Sequence, residues 1–319
     1  MPSGSKRILI AIFLIAACAI STGAAAENAC EKPLYLTFDT GHMGIAPLVA
    51  DVLRRQQVRV TFFAAAERTQ TDGDSLDNHW APWWKQRAAE GHEFASHTYD
   101  HAYWRGDEKS IEPRFRIAPS AGAFAGRQFT WSAAQYCENI AKAADRLQLT
   151  TGKKPLPLYR APGGKTSPRL LAAAKACGWE HVGWSPAGFL GDELPSEKFG
   201  NDKLLAQALE KIQSGDILLA HLGIWSRKDP WAPAVLEPLI VGLKGQGFCF
   251  RTLREHPLPS LDRRPSLIGP PPCSKASPIF LSNCSSGCSK PRYSRWCTPS
   301  ASAAASKRPS TPPAGCWSA

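Results

Sequence analysis

Seven short, continuously apolar segments recur between Pro33 and Leu253, set apart by stretches with helical periodicity. They are "PLYLTF", "VRVTFF", "EFAS", "LPLYR", "HVGW", "DILLAH" and "FCFRTL". A strand that is apolar at every position, rather than at every second one, is buried on both faces. That is the signature of a parallel sheet covered by helices. The spacing predicts amphipathic helices through "IAPLVADVLRRQQ", "NHWAPWWKQRAAEGH", "SAAQYCENIAKAADRLQLTTGK", "SPRLLAAAKACG", "NDKLLAQALEKIQSG" and "AVLEPLIVGLKGQG". Such alternation gives an α/β fold. Seven strands favour a closed or nearly closed barrel, with an open sheet as the alternative. The stretch from Arg105 to Thr130 reads as irregular, because Gly and Pro punctuate it.

The two ends read differently from this middle. Residues 1–26 carry a basic start (Lys6, Arg7), an apolar run from Ile8 and a small-residue "AAA" ending at Ala26, the layout of a secretory signal peptide. The apolar run falls short of the roughly 20 residues a membrane span needs. "IAAC", ending at Cys18, offers the alternative of a lipid anchor. Residues 27–262 form the expected catalytic domain, and 263–319 a Ser-, Pro-, Cys- and Arg-rich tail without apolar periodicity. Such a tail is expected to be disordered, or to stem from a shifted reading frame. The net charge of +11 sits mostly at these ends. Eight Lys or Arg lie beyond Asp262 with no acidic residue, and removing these together with Lys6 and Arg7 leaves +1. Nothing in a nearly neutral body argues for a nucleic-acid partner, and none is expected.

Of ten Cys, four lie in the body: Cys30, Cys137, Cys177 and Cys249. An exported chain meets oxidising conditions, so two disulfides are expected, with three pairings open. Cys30 precedes the first strand and Cys249 lies in the last, which makes them partners if those strands are neighbours. No C-x2-C spacing supports a thiolate metal site.

In parallel α/β folds the functional groups gather at the carboxyl ends of strands. Here Asp39, the "SHTYDH" segment, Arg160, Trp184 and His221 each follow a strand. His97 and His101, four apart on an expected helical turn, bring two imidazoles to one face, where they can grip a metal ion. Alone they would read as surface histidines; five converging strand ends favour a ligand pair. His42, His79, His92, His181 and His256 read as solvated or packed histidines, with His42 kept in view because it neighbours Asp39.

"TFDTG", "GHEFASHTYDH", "YRAPGG" and "DILLAHLG" occur in that order. The stretch from about Pro33 to Leu253 resembles the polysaccharide deacetylases with a NodB-homology domain, carbohydrate esterase family 4. The resemblance implies a distorted (β/α) barrel of these seven strands and a hydrolase that removes N- or O-acetyl groups from sugar polymers. It implies one divalent metal, zinc first, with cobalt, nickel or manganese as alternatives. By the resemblance Asp39 is the general base, Arg160 holds it, His221 is the general acid, His97 and His101 ligate the metal and Leu219 lines an acetyl pocket. Trp184 and Trp225, with Trp104 as a third, are the aromatic residues expected to approach a sugar. The partner is then an acetylated polysaccharide or cell-wall glycan, and the location periplasmic or extracellular.

Two positions depart from the family pattern. Thr40 stands where the family's third metal ligand, a second Asp, is expected. A threonine hydroxyl is a weak neutral donor, so Thr40, Asp39, His42 or water are the alternatives for that place. Near "GWSPAGFLGDEL" the family's fourth motif lacks its Asp, and Asp192 lies two residues late. These departures leave two further readings: a degenerate domain that binds carbohydrate without turnover, and a hydrolase of a non-sugar C–N bond.

Overall fold

The computed structural model describes residues 30–258, which lie within one compact unit. The expectations for residues 1–26, including the Cys18 anchor, and for 263–319 fall outside the described residues. Among the described residues no helix is long and apolar enough to cross a membrane.

All seven expected strands form: β1 (Pro33–Asp39), β2 (Thr61–Ala64), β3 (Glu93–Ser96), β7 (Leu158–Tyr159), β8 (Glu180–His181), β9 (Ile217–His221) and β10 (Cys249–Phe250). They make one parallel sheet. β1 pairs with β9 along one edge, and on the other with β2 above and β10 below. The sheet continues through β3 and β7 to β8. Beyond β8 the chain curls back onto β9, where Ser185 N–H donates to Ile217 O and Phe189 bridges Leu219. The result is the distorted (β/α) barrel.

Alternation along the strands sorts side chains into two layers. Leu34, Leu36 and Phe38 of β1, Phe62 and Ala64 of β2, and Leu218 and Ala220 of β9 share the core that the helices cover. Tyr35, Phe63, Ala95, Leu158 and Val182 form a second buried cluster, on the barrel's inner side. Thr37, Asp39, Leu219 and His221 fall on that inner face at its carboxyl end.

The helices form as expected: α1 (Ala46–Arg55), α2 (Ala81–Ala89), α3 (Ala133–Thr151), α4 (Pro168–Ala176), α5 (Asn201–Lys211) and α6 (Glu237–Gly245). In α1, Ala46, Val49, Ala50 and Leu53 are buried, one face of a 3.6-residue repeat. Ser132 and Gln135 close a capping box at the start of α3, and Gly152 ends it in the left-handed conformation.

Two expectations need correction. The stretch Arg105–Thr130 is not irregular. It carries most of a three-stranded antiparallel sheet, β4 (Ala102–Asp107), β5 (Arg114–Pro119) and β6 (Phe129–Ser132). In "RFRIAP" Phe115 and Ile117 are fully buried while the two arginines face out, the alternation of a half-covered strand. "HTYDH" is likewise no helical turn. Thr98 and His101 take positive φ (59° and 46°), and the chain makes a tight turn from β3 into β4. The expected disulfide Cys30–Cys249 is present, and Cys137–Cys177 joins α3 to the end of α4.

Candidate functional site

β1 and β9 end in register, with Asp39 opposite His221. Just beyond them the two chains cross so closely that side chains do not fit. A Cβ on Gly41 would overlap the carbonyl of Gly223, and one on Gly223 would overlap the His42 ring. Both glycines also have positive φ (131° and 122°). His42 N–H donates to Gly223 O at 3.1 Å and Leu222 N–H to Asp39 O at 2.9 Å, which ties the two strand ends together.

Arg160, at the end of β7, crosses the barrel interior without any exposure. One guanidinium nitrogen donates to Asp39 Oδ1 at 2.6 Å, and others donate to the carbonyls of Val182 (3.1 Å) and Gly183 (3.0 Å). The guanidinium also stacks on Phe63, 4.1 Å from the ring centroid. Burial alone would raise the Asp39 pKa, but the charges of Arg160, His97 and His221 outweigh it and hold the pKa below the ordinary carboxylate value. The second carboxylate oxygen stays clear of Arg160 and faces His97, 3.4 Å from Nε2.

His97 and His101 stand side by side, ring centroids 4.8 Å apart. His97 Nδ1 lies 2.9 Å from Arg160 O. A carbonyl only accepts, so Nδ1 carries the proton and Nε2 presents a lone pair. His101 Nδ1 lies 2.5 Å from Ser120 Oγ; with that hydroxyl donating to His101 O at 3.4 Å, Nδ1 carries the proton and Nε2 presents a lone pair. Burial pushes the His97 pKa down to about 4, more than Asp39 raises it, which leaves a neutral imidazole at neutral pH. Two oriented imidazole lone pairs beside carboxylate oxygens form a donor set that suits a first-row divalent metal. The chemistry of the donor set therefore fits such an ion, although among the described residues no three His, Cys, Asp or Glu side chains are placed so as to hold one.

His221 Nδ1 lies 3.1 Å from Asp192 Oδ1, and Asp192 Oδ2 accepts the His221 N–H at 2.6 Å. Burial would lower the histidine pKa, but the Asp192 carboxylate more than offsets it and raises the pKa to about 9. Asp192 thus reaches His221 despite its shifted place in the sequence.

The Thr40 hydroxyl donates to Glu67 Oε2 at 2.6 Å and accepts from Ala65 N–H at 3.0 Å. Glu67 was absent from the sequence-derived set, although it is the first ionisable residue beyond β2, and the strand-end rule applied there points to it. His42 turns away: its Nδ1 accepts from Gly44 N–H, and its ring packs against Trp225.

The expected substrate contacts are near neighbours. Leu219 is buried two residues before His221, on the same face. Trp184 touches the Gly164 turn and lies 6.2 Å from Phe189. Trp225 is 61 % exposed at the mouth of a cavity of about 320 Å³, lined also by His42, Asp192, Arg227 and Trp231. That cavity meets the titratable cluster only through Asp192, so the cluster rather than the cavity defines the site. Trp104 packs against the core under β5 and donates to Asp107; its neighbour Tyr103 faces His101 instead, 4.9 Å between centroids.

The family model described as polysaccharide deacetylase matches residues 26–182. Residues 26–182 thus belong to the polysaccharide deacetylase family. The chemistry of that family is hydrolysis of acetyl groups on carbohydrates. It is 28 % identical over 228 residues to a peptidoglycan-N-acetylglucosamine deacetylase of Bacillus cereus, covering 70 % of this chain and 88 % of that one. It is 27 % identical over 244 residues to a peptidoglycan-N-acetylmuramic acid deacetylase of Bacillus subtilis, covering 75 % and 77 %. A family 4 acetyl xylan esterase of Clostridium thermocellum, solved with a cobalt ion, shares the fold at a TM-score of 0.53 and 22 % identity, over 70 % of this chain and 89 % of that one. In this polysaccharide deacetylase the motif glycines Gly41 and Gly223 are the two that let the strand ends cross.

Proposed function

We propose that this protein is an exported, metal-dependent deacetylase of an acetylated sugar polymer, with cell-wall glycan as the substrate class. One observation carries the reading. Asp39 and His221 sit at paired positions on neighbouring strands, with the pKa of the first lowered and that of the second raised to about 9. Two titratable groups pushed apart in this way are an acid–base pair.

Asp39, ionised and fixed through Oδ1 by Arg160, takes a proton from the attacking water at Oδ2. His97 and His101 would hold a divalent metal through their Nε2 atoms. When bound, a divalent ion polarises the acetyl carbonyl and activates the water. His221, cationic and oriented by Asp192, gives its proton to the leaving nitrogen or oxygen, so that acetate and the free sugar group result. Leu219 offers an apolar surface for the acetyl methyl, and Trp184 and Trp225 offer faces for sugar rings. Two disulfides support passage through an oxidising compartment.

The test is acetate release from a panel of acetylated glycans and non-sugar amides, with metal content measured alongside. His97→Ala and Asp39→Asn should each abolish release; full activity in both would sink the reading. Thr40 favours a second reading, a domain that binds carbohydrate without turnover, for which sugar binding persists with neither metal nor acetate release.

A further inference from the structure

The mechanism above leaves one carboxylate of the site without a task. We propose that Glu67 is the third protein ligand of the metal, delivered from β2 and held in place by Thr40. This rests on the reading that His97 and His101 hold a divalent ion.

The hydroxyl of Thr40 is already committed. Its proton goes to Glu67 Oε2 at 2.6 Å, and a lone pair accepts the Ala65 N–H. Thr40 therefore acts as a hook for the glutamate rather than as a donor to the ion. The hook leaves Glu67 Oε1 facing His101, 3.9 Å from Nε2, while Asp39 Oδ2 faces His97 at 3.4 Å. Two donors each about 2.0–2.1 Å from one zinc ion stand about 3.4 Å apart at a tetrahedral angle, so Glu67 and His101 at 3.9 Å would close by about 0.5 Å around an ion. The 3.9 Å separation is too long for a hydrogen bond. Both imidazoles have spent their Nδ1 hydrogens on Arg160 O and Ser120 Oγ. The two Nε2 atoms thus face carboxylate oxygens, an arrangement that a shared cation makes attractive.

The backbone at Glu67 is also built for one position. Ser75, fully buried, accepts the Glu67 N–H at 3.2 Å and donates its own N–H to Glu67 O at 2.8 Å. Arg68 bridges Asp74 in the same turn. The side chain is only 21 % exposed. β2 lies directly beside β1, so a longer acidic side chain from the second strand reaches the place that a shorter one would occupy after Asp39. A glutamate ligand leaves Asp39 free for proton transfer, since a carboxylate bound to the ion is a poor base.

The experiment is titration of the full chain with zinc and with cobalt(II), using a competing chelator for affinity and the cobalt visible spectrum for coordination. Wild type should bind one ion per chain. Replacing outer-sphere partners costs about 10–100-fold in affinity, so Glu67→Gln, which loses a ligand, should lose more than about 100-fold. Thr40→Asp in the Glu67→Gln background should restore most of the affinity, a gain that a folding defect does not produce. Binding by Glu67→Gln within about threefold of wild type, below even an outer-sphere effect, overturns the assignment while the deacetylase reading stands. Failure of wild type to bind, or undiminished binding by His97→Ala, overturns both.

Discussion

His221 carries a proton that a solvent-exposed histidine would have lost at neutral pH, and it does so because Asp192 lies against Nδ1. On the proposed mechanism activity requires Asp39 ionised and His221 protonated, so kcat/KM should hold from mildly acidic pH up to an alkaline limb at about 9. Asp192→Asn removes the group that raises the pKa, and the limb should move down toward the ordinary histidine value of about 6.5. A limb that stays put shows that another group is the acid. The same pair enters stability. A group whose pKa is raised by folding stabilises the fold fully below its unfolded pKa, about 6.5, and loses that contribution as pH rises through about 9. The melting difference between wild type and Asp192→Asn should therefore shrink from pH 6 to pH 10. Arg160→Met strips a buried carboxylate of its partner and should cost about 3–5 kcal/mol in urea denaturation, with a smaller added cost when Asp39→Asn is already present. These residues were legible in sequence because each closes an apolar strand. Asp192 and Glu67 were harder, since their side chains meet His221 and Thr40 only through the tertiary fold.

At the scale of elements, the parallel strands declare themselves through uninterrupted apolar runs, and the helices through period and caps. The β4–β6 sheet does not. Its Gly106, Pro113 and Pro119 read as breakers, and one face is polar, so only the alternation in "RFRIAP" marks it. This sheet is nonetheless part of the site, since Ser120 at the end of β5 orients His101 and Tyr103 of β4 lies against it. Ser120→Ala should lower metal affinity about 10–100-fold with little change in melting temperature, as chelator competition would measure. A related reason hides the turn in "HTYDH". A spacing of four suggests a helix, whereas here Thr98 and His101 reverse the chain with positive φ, and the imidazoles meet across the turn.

Over the whole molecule, Cys30–Cys249 ties the approach to the first strand to the last strand across a separation of 219 residues, while Cys137–Cys177 closes 40. In the chain-entropy account the longer loop contributes about 1.5 kcal/mol more, from the logarithm of the two lengths. Paired Cys→Ser variants compared by denaturant titration should show that order. The inner cluster beneath Arg160 has a further consequence. Tyr35, Phe63, Leu158 and Val182 seal the barrel below the guanidinium, so the reaction chamber is a blind alley. On the proposed mechanism, with the acetyl methyl against Leu219 above that sealed floor, acetate would leave after the sugar. The last product out rebinds the empty protein, so added acetate should raise KM for the glycan and leave kcat unchanged. A saturating glycan outcompetes that acetate, so the dead end slows turnover only where substrate is scarce.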